Sequence, residues 1–266
     1  MRKIQAKHVK FSLNFYCEKQ KALSPLKPIE FVEKVSLRTG DVFIGVLDNN
    51  NSILSGKYMF RTGEIYDGQF FNNQFQGQGV FTDIYGVIYE GSWSGGNRQG
   101  QGKEKWPDNT IFEGKFEDDK KTGHGKIIFP DYSEFFGDFV DDEINGKGTY
   151  KSQDFEYEGK WKNNQPHGFG IAHWKGRNIK YEGQYLNGLK HGMGMLIFDS
   201  GIIWAGTWAN GRRHGKFIET ETTSGLKKKK ILINGEKSNE TINETDEEFE
   251  SINELIFHKK KKETLL

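Results

Sequence analysis

The sequence has a single cysteine, Cys17, so no disulfide can close within it, and a reducing compartment is the natural expectation. No stretch approaches the roughly 20 apolar residues that a membrane-spanning helix needs. The basic start (Arg2, Lys3, Lys7, Lys10) is followed by no long apolar run or small-residue cleavage site, and does not read as a secretory signal. Neither sign of charge dominates. With 38 basic against 37 acidic side chains, the net charge of +1 offers no general attraction to nucleic acid. Only 34% of residues are hydrophobic, which is thin for a deep aliphatic core. What the chain has instead is aromatics, at 14%, and 33 glycines. Each aromatic ring carries a large apolar area, so few are needed to hold a thin structure together.

Those two residue types keep time with each other. An aromatic, then any residue, then glycine recurs at Tyr66, Tyr89, Phe112, Phe135, Tyr157, Tyr181 and Trp204, at intervals of 23, 23, 23, 22, 24 and 23. A fixed period of this size means a repeat array. Such arrays work through extended surfaces, so a partner is sought before a catalytic centre.

Tyr181 to Ile203 is representative. Its first five residues alternate aromatic, polar, glycine, polar, aromatic, the mark of a strand with unlike faces. Leu186 to Gly194, with three glycines, Asn187 and His191, reads as a turn. Met195 to Phe198 reads as a second strand, and Asp199-Ser200-Gly201 turns the chain into the next repeat. Each unit is then a β-hairpin and the array an antiparallel meander. The fifth position is aromatic throughout: Phe70, Trp93, Phe116, Phe139, Trp161, Tyr185 and Trp208. Glycine between two rings of one face leaves room for them to lean over the backbone.

A second set of glycines (Gly77/Gly79, Gly100/Gly102, Gly123/Gly125, Gly146/Gly148, Gly168/Gly170, Gly192/Gly194) suits turns that need positive φ. The last unit keeps Gly215 but has Phe217 in the other slot, as a capping repeat would. A degenerate eighth unit, with Phe43, Gly45 and Leu47, precedes the others, so the array spans residues 40–218.

The run YEGQYLNGLKHGMG at Tyr181 to Gly194 resembles the MORN repeat, and Tyr157 to Gly170 and Trp204 to Gly215 are similar. Earlier units are looser, with Gln76, Gln99, Thr122 and Asn145 where the motif has histidine. The resemblance covers about two thirds of the chain. It implies an all-β fold: an elongated single-layer antiparallel meander of hairpins with an aromatic groove on one face. In several similar proteins that groove holds a helix from a partner or from the same chain. The rings that would line it are Tyr66, Phe70, Tyr89, Trp93, Phe112, Phe116, Phe135, Phe139, Tyr157, Trp161, Tyr181, Tyr185, Trp204 and Trp208. The resemblance also implies a cytoplasmic, cytoskeletal setting, with the ciliary axoneme and its radial spokes as the favoured assembly.

No catalytic, cofactor or metal site is expected. His167, His191 and His214 share one position of successive hairpins, about 9 to 10 Å apart, too far for a common zinc ion with ligands about 2 Å away. They read as polar turn residues. Gly123-His124-Gly125-Lys126 lacks the spacing of a phosphate loop and no helix follows it. Glu90, Glu113, Glu158 and Glu182 fall on the polar strand face, where lysines such as Lys115 and Lys160 are expected to pair with them.

The flanks differ. Residues 1–39 are basic; Phe11, Leu13 and Phe15 alternate like a short strand, and the segment reads as a cap or as a docking arm. Residues 219–235 hold the basic run Lys227 to Lys230 and a capping strand, Ile231 to Ile233. Residues 236–266 begin with a polar linker and continue into an amphipathic helix over about 246–259. Thr245 and Glu248 form its capping box, and Phe249, Ile252, Leu255 and Ile256 its apolar, docking face. That face is expected on the chain's own aromatic groove or on a partner. The function expected is a non-catalytic scaffold binding protein subunits of a large assembly, with no nucleic acid. The alternative is a peripheral tether whose lysine runs bind anionic phospholipid.

Overall fold

The computed structural model describes residues 32–36, 39–48, 52–221, 223, 224, 226–238 and 247–254, and the side chains of all of these but 32–36. Phe11, Leu13, Phe15, Thr245, Leu255 and Ile256 lie outside them. The chain forms two compact units, one running to Asp131 and taking in Val140–Asp142, the other made of Tyr132–Phe139 and everything from Glu143 onward.

The first unit holds β1 (Val32–Ser36), β2 (Val42–Leu47), β3 (Ile53–Met59), β4 (Ile65–Phe71), β5 (Gln74–Thr82), β6 (Ile88–Ser94), β7 (Asn97–Lys105), β8 (Ile111–Glu117) and β9 (Lys120–Ile128). Each strand pairs antiparallel with the next. The second unit holds β10 (Glu134–Val140), β11 (Glu143–Lys151), β12 (Phe155–Lys162), β13 (Gln165–Trp174), β14 (Ile179–Leu186), β15 (Leu189–Phe198), β16 (Ile202–Ala209), β17 (Arg212–Glu221), β18 (Lys227–Ile233) and β19 (Glu236–Lys237), with a helix α1 at residues 247–254. From β11 onward its strands are also consecutive antiparallel neighbours. The fold is thus all-β, an open antiparallel sheet of hairpins with one short C-terminal helix.

The hairpin turns are tighter than the glycine pattern suggests. Asn187 and Gly188 alone connect β14 to β15, both at positive φ (49° and 80°). Asn163-Asn164 and Asn210-Gly211 repeat this, also at positive φ. This is the primed two-residue turn, whose twist matches that of paired strands. The stretch from Leu189 to Gly194 is therefore strand, not turn, and the same holds for Gly123–Lys126 inside β9. His167, His191 and His214 are likewise strand residues of β13, β15 and β17.

The second glycine set has a different use. The first member of each pair keeps a positive φ inside the strand, as at Gly192 (φ 60°), and absorbs a bulge that shifts the register between Gly183 and Tyr185. The second member faces the first-strand glycine directly: Gly68↔Gly79, Gly91↔Gly102, Gly159↔Gly170 and Gly183↔Gly194. Neighbouring hairpins continue the line through Gly79↔Gly91 and Gly170↔Gly183. A row of glycines crosses each unit, and the rings of the first position lie on it. A Cβ on Gly194 would sit 2.3 Å from the Tyr181 hydroxyl, and one on Gly79 would sit 2.3 Å from that of Tyr66.

The degenerate hairpin is a structural member. Phe43 is fully buried and meets Phe70 edge-on at 6.1 Å, and Gly45 faces Gly56, which faces Gly68. At the other end Phe217 lies over Gly206, with its Cγ 2.7 Å from where a Cβ would stand. The ring that ends the row therefore comes from the opposite strand. The lysine run is not a separate tail, since Lys227 to Lys230 are the first four residues of β18.

Candidate functional site: the aromatic face

In each unit the expected rings come together as one edge-to-face ladder, except Trp204, which meets Phe198 instead (4.6 Å). Tyr89 stands between Trp93 (5.0 Å, 86°) and Phe116 (4.9 Å, 85°). Tyr157 stands between Trp161 and Tyr185 (5.2 Å each), and Tyr181 between Tyr185 (5.2 Å) and Trp208 (5.3 Å). Tyr66 meets Phe70 and Trp93, Phe112 meets Phe116, and Phe135 meets Phe139 and Trp161 in the same way. Edge-to-face contact is the geometry that the ring quadrupole favours.

The tyrosine hydroxyls close the arrangement. Each donates to the backbone carbonyl three residues on: Tyr66 to Gln69, Tyr89 to Ser92, Tyr157 to Lys160 and Tyr181 to Gln184, at 2.9 to 3.1 Å. That carbonyl sits at the bulge, so the ring both fills the glycine row and satisfies the backbone where the ladder shifts. Burial pushes these phenols up, Tyr89 to about 12 and Tyr66, Tyr157, Tyr181 and Tyr185 further. In the unfolded chain a tyrosine ionises near about 10. The folded state therefore holds protons that the unfolded state releases above that pH. Their stabilising contribution is complete below about pH 10 and is lost as the pH climbs. Thermal unfolding at half-unit steps from pH 9 to 12 should show stability falling from about pH 10, with the share of phenolate absorbance at 295 nm that the exposed Tyr85 and Tyr132 do not supply rising only on unfolding. Complete phenolate formation ahead of unfolding would show that the rings are not sealed.

Most of the fourteen rings are core. Tyr66, Tyr89, Phe112, Phe135, Tyr157 and Tyr181 are at most 2% exposed. They cannot be the atoms that another molecule touches. In the second unit the touchable part of this face is a strip of half-buried residues beside the ladder: Phe155, Trp161, Trp174, Leu196 and Trp204.

One position escaped sequence reading. In five of the seven repeats the residue nine places after the first ring comes back over the ladder from the second strand of the hairpin; Ile144 and Pro166 hold that slot in the other two. Phe75 stacks flat on Tyr66 at 3.7 Å. Arg98 lies over Phe116 (4.9 Å) and Tyr89 (5.5 Å), and Lys121 over Phe112 (5.2 Å). Lys190 lies over Trp174 (4.6 Å), Tyr181 (4.9 Å) and Trp208 (5.0 Å), and Arg213 over Trp204 (4.1 Å). Four of these five are cations, and the ring faces attract them. The signal was available: Arg98, Lys121, Lys190 and Arg213 recur at intervals of 23, 69 and 23. The first two belong to a half-buried network in which Glu104 lies 2.6 Å from Arg98 and 2.5 Å from Lys121, and Asp119 lies 3.3 Å from Arg98.

The opposite face is polar over most of its extent. Glu113 pairs across the sheet with Lys103 at 2.7 Å, while Lys115, one of the lysines expected to meet these glutamates, bonds Glu117 at 3.3 Å. Around β15 to β18 this face turns apolar, with Met195, Ile203, Ala205, Ile218 and Ile231 buried. Phe249 and Ile252 of α1 pack there and are 1% and 0% exposed. Glu248 bonds Lys216 at 2.9 Å, Lys227 donates to Asn253 at 2.8 Å, and Lys229 stands over the Phe249 ring at 5.0 Å. The helix is thus seated on its own chain, but on the face opposite the rings. Side chains alternate along a strand: Trp204 faces the ladder, so Ile203 and Ala205 face the helix. Ala205, where four of the other six repeats carry glutamate and one carries Asp67, was the sequence signal.

The MORN repeat family matches this chain over residues 66–83, 89–111, 112–134, 135–155, 157–178, 181–202 and 204–216. No curated protein matches it. Among solved structures it is similar to the wild-type TCP10 domain of Danio rerio CPAP, at 13% identity and a TM-score of 0.44, covering 79% of this chain and 100% of that one. It is also similar to the SAS-4 (dCPAP) TCP domain of Drosophila melanogaster, solved with a proline rich motif of Ana2, at 12% identity and a TM-score of 0.28, covering 80% of this chain and 98% of that one.

Proposed function

From the premise that this chain belongs to the MORN-repeat family, we propose that it is a non-catalytic scaffold that holds protein subunits through its aromatic face. One observation carries this reading. The recurrent rings, glycines and turn residues are occupied in building the sheet, and what they leave over is a half-buried apolar strip on one face of the second unit. Such a strip suits an amphipathic helix of a partner laid into a groove. The chain's own helix does not compete for it, because α1 is committed to the other face. By analogy with the family, the assembly is cytoskeletal and the ciliary axoneme is the first place to look.

The membrane-tether reading has weaker support. Lys227 and Lys230 already have partners in Asn253 and Glu219, and Lys229 is stacked on Phe249.

The test is cross-linking mass spectrometry on native cells, comparing the wild type with Trp174→Glu. A scaffold persists in the detergent-insoluble fraction, with cross-links clustering around β13 to β16 that Trp174→Glu removes. Release from that fraction by detergent, together with flotation on phosphatidylserine vesicles, would replace the scaffold by the tether.

A further inference from the structure

Lys190 and Arg213 occupy the same slot of successive hairpins as Arg98 and Lys121 do in the first unit, but the charge around them differs. Arg98 has Glu104 at 2.6 Å and Asp119 at 3.3 Å. In the repeat of Lys190 the slots of those two acids hold Leu196 and Gly211. Arg213 has Glu219 in the equivalent slot, but that carboxylate is 2.7 Å from Lys230. Among the described residues neither Lys190 nor Arg213 has an acidic partner; both rest on rings alone. A ring face attracts a cation but leaves most of its hydrogen-bond donors unused, and an ammonium carries three. Burial already pushes Lys190 down to about 8, as expected of an ammonium taken from water without a counter-charge. Both residues remain half-buried rather than sealed, beside the exposed edge of Trp174 and Trp204.

We infer that the aromatic face of the second unit takes an acidic amphipathic helix, with one carboxylate on Lys190 and a second, seven residues along, on Arg213. The inference rests on the groove reading above and adds the chemistry of the occupant. Equivalent positions of successive hairpins are two strands, about 9 to 10 Å, apart. Seven residues of α-helix rise about 10.5 Å. A helix lying across the strands therefore presents acids at that interval to both cations, while its apolar side meets Trp174, Leu196 and Trp204.

The probe is a fluorescein-labelled 21-residue amphipathic peptide with a leucine and phenylalanine face and two glutamates seven apart. Its twin has glutamine at both positions. Anisotropy titrations use the full chain, with thermal unfolding of each variant measured alongside. The glutamate peptide should bind about tenfold tighter than its twin, as charge-assisted hydrogen bonds imply. Lys190→Met should shrink that preference to about threefold or less, and Lys190→Arg should keep it. Equal affinity of the two peptides for the wild type overturns the inference while leaving the groove reading intact. An undiminished preference in Lys190→Met also overturns it. Failure of both peptides to bind overturns the inference and the groove reading together.

Discussion

Gly183→Ala is expected to destabilise the second unit by about 3 kcal/mol or more, at the upper end of overpacking effects. The new Cβ would stand 2.5 Å from the Tyr181 hydroxyl and 2.6 Å from the Gly194 Cα. Neither neighbour can move. The Tyr181 ring is fully buried, donates to Gln184, and is wedged between Tyr185 and Trp208. Gly194 is held by pairing on both sides, to Gly183 and Gly206. Gly188→Asn is the contrast. Nothing lies within 4 Å of its Cβ, and the equivalent position of the preceding hairpin already holds Asn164 at φ 64°. That change should alter stability by no more than about 0.5 kcal/mol, as surface substitutions do. Urea unfolding of the two variants measures both. Comparable losses would mean that the glycine row is not what seats the rings.

The second large effect concerns the helix. Phe249→Ala with Ile252→Ala removes both side chains by which α1 is buried among Met195, Ile203, Ala205, Ile218 and Ile231. Truncations of this kind cost about 2 to 5 kcal/mol each in a closed core. Here the loss is capped at the free energy of undocking, because the helix can leave the sheet without unfolding it. Residues 247–254 should lose hydrogen-exchange protection, and amides of β16 and β17 should exchange faster. Those of β12 and β13 should be unaffected, since they lie under the ladder and away from the helix. Unchanged exchange in β16 and β17 would show that α1 does not hold that face. Loss of protection in β12 would return the helix to the aromatic side.

The period and the alternation inside Tyr181 to Tyr185 were enough to establish hairpins, a row of rings on one face and glycines beneath them. Those features are local or strictly periodic, and side-chain direction in a strand follows from sequence position alone. The turn was harder to place. Gly192 and Gly194 look like turn residues, yet Asn187-Gly188 suffices to reverse the chain, which leaves the later pair free to make a bulge and a seat for a ring. Two tight motifs stood close together, and glycine content alone did not separate them. Pairing of charges was legible in kind but not in register, so Glu113 found Lys103 across the sheet.

By itself the sequence determined that this protein is a stack of hairpins with an aromatic face. A short repeat can bury its apolar side only by stacking on the next, and that requirement is written into every unit. Only the tertiary structure decided which face the helix covers and which cations lack an acid. Both depend on what stands opposite a residue in space, as Ile203 and Ile218 do for Phe249 from 46 and 31 positions away. Phe249 is buried by Ile203 and Ile218 because those side chains point away from the rings. Lys190 lacks the acidic partners of Arg98 because Leu196 and Gly211 stand in the slots of Glu104 and Asp119.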